Sequence, residues 1–345
     1  MTARIDKAGR LSDVLASLDD AGVRRLLETA QPVGTGIGGT TKTASIGGTA
    51  VFVKQLPLTR SEEADPTSTT IRLRLPFTCH YGIGSPTHGV GRELAAHQAT
   101  TGWVRDGAAD FFPLLLEWRV IDLKSAVDLD EFDGDAPQRR WGTPWPDVQR
   151  ELTAMKDASK SMVLFLEYVP ETLGAWLHRS LAAGTGASVF ADVVAQLMEA
   201  AAWMDTQGFQ HFDVHPGNIL VHEGRLLFTD FGLALYRGFE LTVEEKESMV
   251  AHAGFDRDTA LMHLFHWVLF ELGLTSGAQR LELLRAAAAD PATQALDPVR
   301  VALGESADLI ARHAAVAVYV TEMFGILMND ASATRYDSTI GDLGV

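Results

Sequence analysis

The chain has 345 residues, 46% of them apolar, seven Trp and a formal charge of −16. That length suffices for two lobes with cores of their own, and the apolar content excludes a disordered chain. The acidity argues against nucleic acid or an anionic membrane as the main partner, since both repel such a surface. Cys79 is the only cysteine, so no intramolecular disulfide can form and a reducing compartment is expected. The opening MTARIDKAGR has charges but no apolar run behind it, unlike a signal peptide. The apolar stretches 261–274 and 309–328 are interrupted by His263, His266 and Glu271, and by Arg312, His313 and Glu322. They read as buried helices, and the expectation is a cytoplasmic protein that does not enter a membrane.

In chain order, apolar residues at Leu11, Val14, Leu15, Leu18, Val23, Leu26 and Leu27, with Ser12 as a cap, predict one or two short amphipathic helices. Gly34, Gly36 and Gly39 then make G-x-G-x-x-G. A dinucleotide fingerprint would open a helix, whereas this one leads through Thr40 to Ile46 into a Gly47-Gly48 turn and a strand, Ala50 to Lys54. It reads as a hairpin whose glycines let backbone amides approach phosphate oxygens. Lys54 at the strand end is the candidate phosphate ligand, with Lys42 a lesser one.

Residues 57–90 are rich in Pro and Gly and show no helical period. Cys79, His80 and His88 lie there, but one cysteine and no repeated spacing argue against a metal cluster. A helix begins at Gly91 and carries Glu93; a strand over 114–123 carries Glu117. The acidic run from Asp128 to Asp135, ahead of Trp141 and Trp145, reads as a solvated loop, or as a collar for a basic substrate. Met162 to Pro170 reads as a buried strand, and 172–181 and 188–207 as helices, the latter with a core stripe of Val189, Val193, Val194, Leu197, Met198 and Ala201.

The most informative stretch is HFDVHPGNILVHEGRLLFTDFG, His211 to Gly232. Two apolar runs, 219–221 and 226–228, flank a turn at Glu223-Gly224 and predict a hairpin that brings together Asp213, Asn218 and Asp230. Helices follow over 242–252, 258–272, 279–289 and 307–328, then a tail from Asn329 to Val345.

His211-x-Asp213, Asn218 five residues on, and Asp230-Phe231-Gly232 resemble the catalytic and metal-binding loops of the protein-kinase-like superfamily. The resemblance runs from Gly34 to Gly232 and implies an α+β bilobal fold: an N-terminal helical extension (1–30), a small antiparallel lobe with insertions and hinge (31–169) and a helical lobe (170–345). By it, the glycine loop and Lys54 hold ATP phosphates, and Glu93 pairs with Lys54. Leu166 guards a back pocket, the Glu167 C=O and Val169 N–H bind adenine, Asn218 and Asp230 hold Mg2+, and Asp213 orients the acceptor hydroxyl. The segments 57–90 and 124–160 are insertions relative to that family. His215-Pro216-Gly217 is similar to the aminoglycoside and small-molecule phosphotransferases, Asp-Phe-Gly and the Glu167-Tyr168-Val169 hinge to protein kinases, and there is no Ala-Pro-Glu after Gly232. The implied function is an ATP- and Mg2+-dependent kinase. Its preferred acceptor is Ser or Thr of a protein or peptide, such as a natural-product precursor whose phosphate a separate lyase then eliminates. A small hydroxylated molecule, or a pseudokinase scaffold, stays open as an alternative.

Overall fold

The computed structural model describes residues 2–71 and 75–340. Residues 72–74 of the irregular segment and 341–345 of the expected tail lie outside the described residues. The chain forms two compact units, Met1–Val169 with Thr229–Thr242, and Pro170–Phe228 with Val243–Val345. The return of 229–242 to the first unit is not evident in the linear sequence.

The first unit opens with α1 (Thr2–Ser17) and α2 (Asp20–Thr29). The cap is Asp19, whose carboxylate accepts from Gly22 N at 2.7 Å, while Ser12 lies inside α1. Leu15, Val23 and Leu27 are buried, α1 lying on β4 (Leu115–Ile121) and α2 on β2 (Gly39–Ile46). With β1 (Gln31–Gly36), β3 (Thr49–Leu58) and β5 (Lys160–Glu167) these strands make an antiparallel sheet in the order β1-β2-β3-β5-β4. Gly47 and Gly48, at φ 56° and 82°, form the two-residue turn that joins β2 to β3.

Side-chain alternation puts Phe52, Lys54, Leu56 and Leu58 on one face of β3. Leu56 and Leu58 join Met162, Leu164 and Leu166 of β5 and Val90 and Leu94 of α3 (Val90–Arg105) in a buried cluster. Each fully buried aliphatic side chain there contributes roughly 1.5–3 kcal/mol. The same alternation turns Lys54 toward α3.

The acidic run is solvated, as expected of a loop, with one short 3-10 turn at Asp130–Phe132, and the order lies in what surrounds and follows it. Asp128, Asp130, Glu131, Asp133 and Asp135 are exposed, but among and after them Phe132 and Trp141 are buried. Two helices follow, α4 (Ala136–Trp141) and α5 (Trp145–Asp157), with Val148, Leu152 and Met155 of α5 turned inward. The charges had hidden an amphipathic period.

The second unit is helical: α6 (Leu173–Ala182), α7 (Gly186–Thr206), α8 (Val243–Ala251), α9 (Phe255–Glu271), α10 (Gly277–Ala289), α11 (Asp297–Leu303) and α12 (Ala307–Asn329). Gly174 lets α6 approach α9, because a Cβ there would lie 2.6 Å from the Trp267 ring. By length and composition alone, Gly186–Thr206 and Gln294–Asn329 could cross a membrane. Both carry core side chains, among them Phe190, Val193 and Leu197, and Ile310, Ala314 and Val320. The described part of the tail packs back rather than hanging loose: Thr334 is buried, and Tyr336 donates to Asp258 Oδ2 at 2.7 Å. The whole is α+β, an antiparallel sheet in the N-terminal part and a mostly helical remainder.

Candidate active site

In the first unit, Lys54 Nζ lies 2.6 Å from Glu93 Oε1 and 2.7 Å from Asp230 Oδ1. Lys54 and Glu93 side chains are only 9% and 2% exposed, whereas Asp230 is 44% exposed, so the cluster opens to solvent through Asp230. Burial disfavours the Lys54 ammonium, but Asp230 and then Glu93 outweigh it and hold its pKa above the ordinary lysine value. Lys54 is therefore cationic throughout the neutral range. Asp230 adopts φ 66°, the left-handed region, which a non-glycine residue occupies at a cost of about 1–3 kcal/mol.

The three glycines of the fingerprint separate. Gly34 and Gly36 lie in the exposed strand β1, and the Gly36 carbonyl accepts from Asp128 N at 3.0 Å. A Cβ on Gly39 would meet the Gln55 carbonyl oxygen at 2.1 Å, so this glycine lets two strands meet. Gly38, which the pattern does not contain, is the glycine beside the lysine: its Cβ would stand 3.5 Å from Thr87 Cγ2 and 3.9 Å from Lys54 Cε. Lys42 instead donates to the Leu27 carbonyl at the end of α2, and Glu117 pairs with Arg119 at 2.7 Å.

At the end of β5, the Glu167 carboxylate is held by Arg4 of α1, Nε to Oε1 at 2.8 Å and Nη2 to Oε2 at 2.6 Å. Leu114 N adds a third donor at 3.2 Å, and Val169 is buried. The N-terminal helix is thus tied to the segment expected to read adenine, a link that no local pattern at Arg4 announces.

The second unit carries the other loop. Asn218 Nδ2 donates to Asp213 Oδ2 at 2.8 Å and to the Asp213 carbonyl at 3.1 Å, closing the turn between them. Gly217 N donates to His215 Nδ1 at 3.0 Å, which leaves a neutral imidazole its proton on Nε2, 3.9 Å from Asp213 Oδ1. The loop runs into the hairpin Ile219–His222 and Arg225–Phe228, whose register pairs Ile219 with Phe228 and His222 with Arg225. Glu223 and Gly224, at φ 51° and 80°, make its two-residue turn. Gln196 of α7 fastens that turn, donating to the Gly224 carbonyl and accepting from Leu226 N, both at 3.0 Å.

Asp256 is the residue that sequence reasoning missed. It is 1% exposed on α9, and its two oxygens accept from His211 N at 2.6 Å and Phe212 N at 2.8 Å. Phe212 is held at φ 64° just before Asp213. Burial pushes the Asp256 carboxyl up to about 7, against the pull of the two N–H donors. An Asp in the first turn of a helix passes for an ordinary dipole partner, so nothing local distinguished it.

Asn218 and Asp213 come together in the second unit, and Lys54, Glu93 and Asp230 in the first. Asn218 offers an amide oxygen in the second unit and Asp230 a carboxylate in the first, each a hard oxygen donor of the kind Mg2+ takes, and Asp230 is the most exposed member of the Lys54 cluster. Among the described residues no group of three or more His, Cys, Asp and Glu could hold a metal ion.

Residues 153–262 match the family described as the ABC1 atypical kinase-like domain. No curated protein matches the chain. The match covers β5, residues 211–232 and the start of α9, and with the antiparallel sheet ahead of it the fold is protein-kinase-like and bilobal.

Proposed function

We propose that this protein-kinase-like chain transfers the γ-phosphoryl group of ATP to a hydroxyl, with Ser or Thr of a protein or peptide as the preferred acceptor. The observation that carries this reading is the buried Lys54, ion-paired with both Glu93 and Asp230. A lysine so placed is a fixed cation for nucleotide phosphates. Asn218 and Asp230 would hold Mg2+, which when bound neutralises charge on the phosphates. Asp213, oriented through Oδ2 by Asn218, takes the proton of the acceptor hydroxyl. The acceptor oxygen bonds to the γ-phosphorus as the bond to the β–γ bridging oxygen breaks, leaving ADP. A cytoplasmic setting belongs to this reading, supported by the buried free thiol of Cys79.

The test is mass spectrometry after incubation with Mg-ATP and a panel of Ser/Thr peptides and aminoglycosides. Asp213→Asn should lower turnover by about 10²–10⁴-fold with folding intact, and undiminished turnover would remove Asp213 from the role. A small hydroxylated acceptor is the second reading, favoured by His215-Pro216-Gly217 and by the passage from Gly232 to α8 in residues 233–242 alone. A mass gain on the aminoglycosides selects it. Nucleotide binding without transfer to any acceptor selects a scaffold.

A further inference from the structure

The insertion between β3 and α3 is bonded to residues 229–242, the stretch that carries Asp230, toward both of its ends. At the near end, His80 Nδ1 lies 2.8 Å from the Leu233 carbonyl, and His88 N donates to the Gly232 carbonyl at 3.1 Å. A carbonyl only accepts, so Nδ1 of His80 carries the proton. The two imidazoles stack, centroids 3.7 Å apart and planes 4° from parallel, and His80 is 1% exposed. At the far end, Glu240 N donates to Thr69 Oγ1 at 2.9 Å, and the Thr70 hydroxyl bonds to the Glu240 carboxylate.

The insertion is also fastened to α3, which carries Glu93. Glu62 accepts from Val90 N at 2.9 Å through Oε1 and from Thr59 N at 2.9 Å through Oε2, closing the two ends of the insertion on one carboxylate. Arg92 donates to the Thr69 carbonyl at 2.7 Å and lies over the Phe239 ring, 5.5 Å from its centroid. Gly91 permits the contact, because a Cβ there would stand 2.2 Å from the Ser68 carbonyl oxygen. Finally, Thr87 lies between Gly38 and Gly232: Cβ positions built on those glycines fall 3.5 Å and 3.8 Å from its methyl.

We infer that the insertion is a clamp that fixes the Asp-Phe-Gly segment to α3, and that His80 is its positioning residue. Asp230 sits in a left-handed conformation that would relax if the residues after it were free, and its carboxylate would then leave Lys54. The hydrogen bonds at Gly232 and Leu233 hold the backbone two and three residues downstream, where such relaxation would begin. A chain with no Ala-Pro-Glu after Gly232 thus obtains from its own N-terminal unit the anchorage of this segment.

The clamp concerns Asp230, so its catalytic meaning rests on the kinase reading, but the test does not. His80→Phe keeps a ring to stack on His88 and loses the donor; His80→Asn restores an N–H near the Nδ1 position. Hydrogen exchange of the full-length protein without nucleotide is followed by mass spectrometry. Amides in 229–242 should exchange about tenfold faster in His80→Phe and within twofold of the parent in His80→Asn, with α7 and α9 unchanged in both. Phosphoryl transfer should follow the same order, kcat falling about tenfold in His80→Phe with the KM for ATP within twofold. Unchanged exchange at 229–242 in a folded His80→Phe protein overturns the clamp. Should that variant not fold, Thr69→Val decides, with about tenfold faster exchange at 239–242 expected and unchanged exchange overturning it. Faster exchange in a protein whose parent transfers no phosphate keeps the clamp and removes the kinase reading.

Discussion

Glu151 on α5 shows how a single carboxyl tunes the first unit. Burial, and then the charge of Glu62, push it up to about 7. Its pKa is higher folded than unfolded, so its contribution to stability is complete below about 4.5 and is lost as pH rises through 7. Glu151→Gln removes the charge that the site resists. In urea titrations the variant should exceed the parent in stability by on the order of 2 kcal/mol at pH 8, discounted for partial exposure, and match it near pH 4. Parallel pH profiles for the two proteins would show that the carboxyl is well solvated. Lys54 and Glu93 were legible in sequence because the kinase resemblance implies a lysine at the end of the strand after the glycine loop and a glutamate in the helix that follows. Gly38 was not, since only the register of β2 against β3 decides which glycine faces the lysine.

The backbone that leads into the Asp213–Asn218 loop is held from α9. Asp256 gives two buried N–H groups their acceptors and keeps Phe212 left-handed, with the Phe255 ring 5.1 Å from that of Phe212. Asp256→Ala would strand both donors, at about 1–3 kcal/mol each. The expected result is a loss of about 2–5 kcal/mol in chemical denaturation and, on the proposed kinase reading, a loss of phosphoryl transfer. Loss of transfer at full stability would instead give Asp256 a direct part in the chemistry. Elements set by local pattern, such as the Glu223-Gly224 hairpin and α7, were legible. The two insertions were less so, because Pro, Gly and exposed acids dominate their composition and mask the buried Phe132, Trp141 and Leu152.

At the scale of the whole molecule, the chain leaves the first unit after Val169, returns for Thr229–Thr242 and leaves again. The returning piece is not a surface strand. Phe231 packs on His97 and Phe112, with centroids 4.7 and 6.1 Å apart, Tyr236 stands edge-on to Trp103 at 5.6 Å, and Phe239 lies under Arg92. Phe231 and Phe239 are buried and Tyr236 half-buried, and a buried Phe is worth roughly 1.5–3 kcal/mol, so removing all three forfeits about 4 kcal/mol or more, a large part of a domain's stability. The loss also leaves Lys54 with one carboxylate instead of two. A fragment of residues 1–169 should therefore lack a cooperative unfolding transition, although its sheet and α3 are complete in sequence. Joining residues 229–242 to its C-terminus through a flexible linker should restore that transition in calorimetry and circular dichroism. Cooperative melting of 1–169 alone would mean that the sheet and its helices carry the unit unaided, and that residues 229–242 dock on a lobe already formed. The expected dependence follows from placement: the segment that brings Asp230 to Lys54 also supplies aromatic packing, so folding of the first unit and assembly of its ion pair are one event.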